Sequence, residues 1–147
     1  MSECKVFLFD DQYEPFVDYF KAKAKKPEIK IIPYEYKMNI SLREQLKEAL
    51  EMALKENFDL LLLDNLFGDA WADEIIAEDK AIQELLKNVS EKTEVVVFTR
   101  QHTEMRNFNK VIEGVTGKPP KVINKEQPAE GAWMNEIIEI CEEKGEK

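Results

Sequence analysis

Polar side chains stand directly after several short apolar runs of the chain. Asp10 and Asp11 follow the run VFLF, and Asp64 follows four consecutive leucines. Thr99 ends the run VVVFT, and Lys125 ends VINK. Three carboxylates, a hydroxyl and an ammonium are the groups that together can bind a divalent cation and neutralise a phosphoryl group. The chemistry requires that residues far apart in sequence meet in space.

The elements that would bring them together are short apolar runs alternating with longer amphipathic stretches. The predicted strands are Val6–Phe9, Ile29–Tyr36, Asp59–Leu63, Glu94–Phe98 and Lys121–Asn124. The predicted helices are Tyr13–Lys26, 42 to about 57 with Ser41 as N-cap, Glu74–Lys87, Glu104–Val115 and Ala129–Glu143. This alternation predicts a doubly wound α/β fold, in which a five-stranded parallel sheet carries helices on both faces.

The order of the strands follows from their composition. The first, third and fourth strands are continuous apolar runs, which indicates burial on both faces. The second strand contains Pro33, which cannot donate to a ladder, and the fifth strand is short, so both belong at edges. The predicted order is therefore 2-1-3-4-5. Its switch point lies between strands 1 and 3, where ligands of open α/β sheets bind.

The three aspartates would repel one another at that point. Two unit charges about 4 Å apart cost roughly 4 kcal/mol at an effective dielectric near 20. A bound cation removes this cost, and hard carboxylate oxygens suit Mg²⁺ or Mn²⁺. Because no histidine or cysteine adjoins Asp10, Asp11 or Asp64, zinc is disfavoured.

Composition limits the classes of function. A chain of 147 residues fits a single domain spanning 1–147. Its net charge of -9 argues against nucleic acid or an anionic membrane as a direct partner. Cys4 and Cys141 have no metal-ligand spacing, and we expect two buried, reduced thiols in a cytoplasmic protein. No secretory signal or membrane span is expected. The acidic run Asp69–Asp79 is interpreted as a solvated loop and helix start, with Trp71 as a packing residue.

The ordered set Asp-Asp, Asp, Thr, Lys at the ends of strands 1, 3, 4 and 5 resembles the receiver domain of two-component response regulators. The resemblance covers nearly the whole chain in architecture and implies the flavodoxin-like, three-layer receiver fold. It implies that Asp64 in LLLLD is the phosphoacceptor. Thr99 would follow the phosphoryl group, and Lys125 would pair with it.

The same resemblance assigns the metal ligands. Asp11 would bind the cation directly, as would Asp64, and Asp10 would hold metal-bound water. The backbone carbonyl of Leu66, two residues past Asp64, would complete the site. One departure from the family stands beside the site: Glu126 follows the lysine, where the family usually has a proline.

The function implied is a signalling module and not an enzyme. A sensor histidine kinase or a phosphotransfer protein would phosphorylate Asp64, and a separate protein target or a second copy of the chain would read the result. No output domain is expected in cis. One alternative is a haloacid-dehalogenase-like Mg²⁺-dependent phosphatase, although that class needs Asp-x-Asp where Gln12 stands. The other is a phosphate-independent interaction scaffold.

Overall fold

A computed structural model describes residues 3–100, 106–126 and 131–145. The strands are β1 Cys4–Phe9, β2 Ile29–Pro33, β3 Leu60–Leu63, β4 Leu66–Phe67, β5 Ala70–Trp71, β6 Glu94–Thr99 and β7 Lys121–Asn124. The helices are α1 Tyr13–Lys23, α2 Leu42–Lys55, α3 Ala72–Glu78, α4 Lys80–Ser90, α5 Phe108–Thr116 and α6 Ala132–Gly145. The predicted helix starts at 104 and 129 lie outside the described residues. Within the described ranges, no helix is both long and apolar enough to cross a bilayer.

The main sheet has the order β2-β1-β3-β6-β7, and each neighbouring pair is parallel. The predicted order is thereby confirmed. Phe9 lies opposite Leu63, Leu63 lies opposite Val97, and Thr99 lies opposite Asn124. This register brings the carboxyl ends of the central strands to one edge of the sheet.

Side chains of the sheet alternate between two apolar layers, as the period of a strand requires. One face packs on α2, α3, α4 and α5, and the other packs on α1 and α6. Phe7 and Leu61 are fully buried in the first layer, and Val6 and Leu62 are buried in the second. Truncating such a leucine to alanine typically costs about 2–5 kcal/mol. The strands that carry the aspartates are therefore packed on both faces.

The segment after β3 differs from the prediction. Where a plain loop and one helix over Glu74–Lys87 were expected, β4 and β5 form an antiparallel hairpin and two helices follow. The hairpin turns through Gly68 at a φ of +63°. Asp79 ends α3 and caps α4, since its side chain accepts a hydrogen bond from the N–H of Ile82 at 3.1 Å. Because Asp79 caps the start of a new helix, it divides the single expected helix into α3 and α4.

The prediction of reduced thiols is wrong in this structure. Cys4 and Cys141 form a disulfide that joins β1 to α6, with their Cα atoms 5.9 Å apart. Both residues are buried, as expected. A separation of 137 residues gave no spacing signal. Only the packing of α6 against the first strand makes the two side chains neighbours.

Reduction of this disulfide should lower the free energy of unfolding by about 3–5 kcal/mol, because the cross-link closes a long loop and so restricts the unfolded chain. Urea unfolding of the oxidised and the reduced protein, followed by circular dichroism, measures the difference. The double variant Cys4→Ser/Cys141→Ser is the control and should not respond to reductant. Identical midpoints for the oxidised and reduced wild type would contradict the expectation.

Candidate functional site

Three carboxylates meet where β1 and β3 end. Asp10, Asp11 and Asp64 each offer an oxygen, and these oxygens lie within 4.8 Å of one another. The pairing of β1 with β3 continues to this point, since the N–H of Asp64 donates to the carbonyl of Phe9 at 3.1 Å. Asp10 is 1% exposed and Asp64 is 4% exposed, whereas Asp11 is half-buried. Two of the carboxylates are thus almost removed from water.

Lys125 reaches this cluster from the end of β7. Its Nζ lies 2.5 Å from Oδ2 of Asp10 and 3.0 Å from Oδ2 of Asp64, and its side chain is 2% exposed. The rings of Phe16 and Phe98 have centroids 5.3 Å and 5.2 Å from the same nitrogen. The ammonium therefore bridges two buried carboxylates between aromatic walls, although no proline follows the lysine.

Backbone N–H groups also donate hydrogen bonds to the three carboxylates. Asp10 accepts such a bond from Gln12 at 2.8 Å, Asp64 from Asn65 at 2.8 Å and Asp11 from Gly68 at 3.3 Å. The third bond joins the β4–β5 turn to the end of β1. These bonds orient the three carboxylates, and each oxygen that accepts a single bond retains a lone pair for a further ligand.

The hydroxyl of Thr99 is buried at the end of β6. Among the described residues no group hydrogen-bonds to its Oγ1. The backbone carbonyl of Thr99 accepts from the N–H of Lys125 at 2.9 Å, so the two residues adjoin across the β6–β7 pair. A buried hydroxyl without a partner among these residues has its full hydrogen-bonding capacity for a bound anion.

An open cleft of about 120 Å³ leads to the carboxylates. It is lined by Asp11, Gln12, Asp64, Leu66, Gly68 and Arg100. The guanidinium of Arg100 donates a hydrogen bond to the side-chain oxygen of Gln12 at the cleft. Arg100 was missed from the sequence, although its place directly after Thr99 was a usable signal. A guanidinium here can contact phosphoryl oxygens.

Burial perturbs the titration of Asp64 and Asp11. Burial raises the pKa of Asp64 to about 7, the neighbouring Lys125 opposes this rise, and the charge of Asp10 adds to it. Burial, followed by the charge of Asp10, also raises the pKa of Asp11. Both shifts show that negative charge is disfavoured in the cleft, so a bound cation would be stabilising.

The donor set fits a hard divalent cation. The cluster consists of carboxylates, and among the described residues no histidine or cysteine belongs to it. Leu66 lines the same cleft. Carboxylate oxygens beside an open cleft suit Mg²⁺ or Mn²⁺.

A chain of contacts leads from the site to α5. The side-chain amide of Asn65 donates to Oδ2 of Asp73 at 3.3 Å, and the N–H of Asp73 donates to Oδ1 of Asn65 at 2.8 Å. Nε of Arg106 lies 3.3 Å from the same Oδ2, and its guanidinium stacks on Trp71, 4.5 Å from the ring centroid. Asp73 is buried, so the interpretation of the whole acidic run as solvated does not hold for this residue.

Replacing Arg106 with leucine should destabilise the protein by about 2 kcal/mol, because the buried carboxylate of Asp73 loses its cation. Urea unfolding measures the loss, and the emission of Trp71 should change as its stacking partner disappears. Arg43→Leu is the matched control, since its pair with Asp79 is at the surface and should contribute under about 1 kcal/mol. Equal losses in the two variants would contradict the assigned role of Arg106.

Comparison with known proteins gives a likeness in structure only. No family model matches the chain, and no curated protein matches its sequence. The chemotaxis protein CheY4 of Vibrio cholerae matches with a TM-score of 0.59 and 15% identity, over 95% of this chain and 99% of that chain. A two-component response regulator from Clostridium difficile matches with a TM-score of 0.59 and 13% identity, over 99% and 100% of the two chains.

A third structure contains the P1 domain of CheA3 in complex with CheY6 from R. sphaeroides. It matches with a TM-score of 0.59 and 14% identity, over 97% of this chain and 99% of the matched chain. Identities this low carry no assignment of activity, but the agreement extends over nearly the full length of each of these chains. The chain therefore has the fold of a response-regulator receiver domain.

Proposed function

We propose that the chain is a phospho-receiver signalling module that accepts a phosphoryl group on Asp64 in the presence of Mg²⁺ or Mn²⁺. One observation carries the proposal. The oxygens of Asp10, Asp11 and Asp64 lie within 4.8 Å of one another, and Lys125 bridges two of these carboxylates. The receiver fold places this cluster at the switch point of the sheet.

The reaction needs a nucleophile and neutralisation of charge. A carboxylate oxygen of Asp64 attacks the phosphorus of a phosphohistidine or a small acyl phosphate, an acyl phosphate bond forms, and the bond to the leaving nitrogen or oxygen breaks with its electron pair. A bound Mg²⁺ would supply positive charge to the phosphoryl oxygens. Asp10, Asp11, Asp64 and the carbonyl of Leu66 would hold it.

The other polar groups of the cleft would bind the transferred group. The Nζ of Lys125 contacts Asp64 at 3.0 Å, which supports a role in pairing with a phosphoryl oxygen. The hydroxyl of Thr99 would donate to a second oxygen. This role is supported by the absence of a hydrogen-bond partner for its Oγ1 among the described residues. Arg100 lines the cleft and would add a second positively charged side chain, after Lys125. Phosphoryl transfer of this kind rests on positioning and electrostatics.

The partners of the module would be proteins. A sensor histidine kinase or a phosphotransfer protein would supply the phosphoryl group, and the complex of a P1 domain with CheY6 gives a structural neighbour with a protein partner of its own. The contacts from Asn65 through Asp73 to Arg106 would carry the state of the site towards α5. A downstream protein target, or a second copy of the chain, would recognise the altered surface.

Intact-mass measurement after incubation with Mg²⁺ and acetyl phosphate tests the proposal. We expect a single phosphoryl adduct that is lost in Asp64→Asn and when Mg²⁺ is chelated. Asp59→Asn is the matched control, because Asp59 precedes β3 as Asp64 follows it, and the adduct should persist.

Two other outcomes would replace the proposal. Repeated hydrolysis of a phosphomonoester, lost in Asp10→Asn, would assign a phosphatase. Absence of both adduct and turnover in protein that is folded and binds Mg²⁺ would assign a phosphate-independent interaction scaffold.

A further inference from the structure

A groove of about 620 Å³ runs along β2 and shares no lining residue with the acidic cleft. β2 is an edge strand of the sheet, and among the described residues no strand pairs with its outer side. The apolar residues that line it include Phe20, Ile29 and Ile31, which belong to the layer between the sheet and α1. An unpaired strand edge is a template for the addition of another strand.

The direction of the backbone groups of β2 follows from its bonds to β1. The N–H of Tyr34 donates to the carbonyl of Leu8 at 2.9 Å, and the carbonyl of Glu28 accepts from the N–H of Cys4 at 2.8 Å. In a parallel ladder, alternate residues of a strand direct both backbone groups to the same neighbour. The even-numbered residues therefore face β1, and Ile31 directs its N–H and its carbonyl outwards.

The outward edge has defined limits. The N–H of Ile29 is already bonded to the carbonyl of Lys26 at 3.0 Å, so Ile29 offers only its carbonyl. Pro33 has no N–H and ends the donating edge. The N–H of Ile31 and the neighbouring outward carbonyls therefore remain for a short added strand. Such a strand would have a single preferred register.

The charge around this edge is opposite to that of the whole molecule. Of the residues that the structure describes, five lysines and one glutamate line the groove, although the chain carries a net charge of -9. Lys21, Lys25, Lys26 and Lys30 are exposed. Lys25 has a φ of +52°, a left-handed conformation that shapes the turn between α1 and β2. A positive rim around an apolar floor selects an occupant that is both acidic and apolar.

We propose that the β2 edge binds an extended segment of another protein in which acidic and apolar residues alternate. The segment adds as a strand to Ile31, its apolar side chains enter the groove, and its carboxylates meet the lysines. A second copy of this chain is a poor occupant, because pairing two β2 edges would bring Lys30 and its neighbours against the same lysines.

Fluorescence anisotropy of the full chain with a labelled peptide of alternating valine and glutamate tests the proposal. We expect saturable binding that weakens as salt is added, and binding roughly tenfold weaker for the peptide with lysine in place of glutamate. Ile31→Pro removes the outward donor without removing a bond to β1, and should weaken binding by roughly tenfold. Lys30→Glu should do likewise, whereas Lys47→Glu, on α2, should have no effect.

Several outcomes would overturn the proposal. Circular dichroism would first confirm that Ile31→Pro is folded. If this variant then binds the peptide as tightly as the wild type, binding depends on charge alone and no strand is added. Absence of saturable binding would remove the site. Binding to vesicles of anionic phospholipid with no binding of the acidic peptide would assign the surface to a membrane instead.

Discussion

Replacement of Lys125 with methionine should lower the free energy of unfolding by about 3–5 kcal/mol at neutral pH in a chelating buffer. The ammonium of Lys125 lies within 3.0 Å of carboxylate oxygens on both Asp10 and Asp64. Removing one partner from a buried charge cluster leaves the other charges uncompensated, which is among the largest effects of a single substitution. Methionine keeps most of the volume between Phe16 and Phe98, so the loss reports charge.

Urea unfolding with and without Mg²⁺ distinguishes this effect from general damage. Mg²⁺ should stabilise Lys125→Met more than it stabilises the wild type, since the cation no longer competes with the ammonium for two carboxylates. Lys121→Met is the control on the same strand, because the ion pairs of Lys121 with Glu94 and Glu143 are at the surface and should contribute under about 1 kcal/mol. If both variants lose a similar free energy of unfolding, the buried bridge of Lys125 contributes no more than a surface ion pair.

The metal-free protein should become less stable as the pH rises through about 7. The pKa of Asp64 is raised from its ordinary value of 3.8 to about 7, mainly by burial. The folded protein therefore holds a proton that the unfolded chain has already released, and protonation stabilises the folded state. This contribution is complete below about pH 4 and is lost as the pH rises through about 7. At about 1.4 kcal/mol per pH unit, its full size is on the order of 4 kcal/mol.

Unfolding free energies measured between about pH 5 and pH 8 in chelator test this sign. The raised pKa of Asp11 acts in the same direction. Asp64→Asn should flatten the profile and should be more stable than the wild type at the alkaline end. Added Mg²⁺ should remove most of the alkaline loss in the wild type and little in the variant. A wild-type stability that increases over this range in chelator would refute the assignment.

The strand order was accessible from the sequence for two reasons. Four consecutive leucines before Asp64 require burial on both faces, which places β3 at the centre. Pro33 places β2 at an edge, and the structure shows it there. Once the order is fixed, the parallel arrangement brings every strand's carboxyl end to one edge. The meeting of Asp10, Asp11 and Asp64 follows from that topology.

Other parts of the site depend on tertiary contacts that a local pattern does not encode. The β4–β5 hairpin has two residues in each strand, too few for a period to be recognised. The burial of Asp73 depends on Arg106, which precedes α5 far along the chain. The link between Cys4 and Cys141 likewise depends on how α6 packs against β1. In these cases contacts between residues distant in sequence determine the structure, and local sequence patterns do not predict it.

The Cys4–Cys141 link has a mechanical consequence. It closes nearly the entire chain into one covalent ring, since its two residues are separated by 137 positions. Tension applied to the segments on either side would pass directly through the sulfur bridge and bypass the sheet. While the bridge is intact, a partner pulling on the flanking segments would not unzip the strands that hold the acidic cleft.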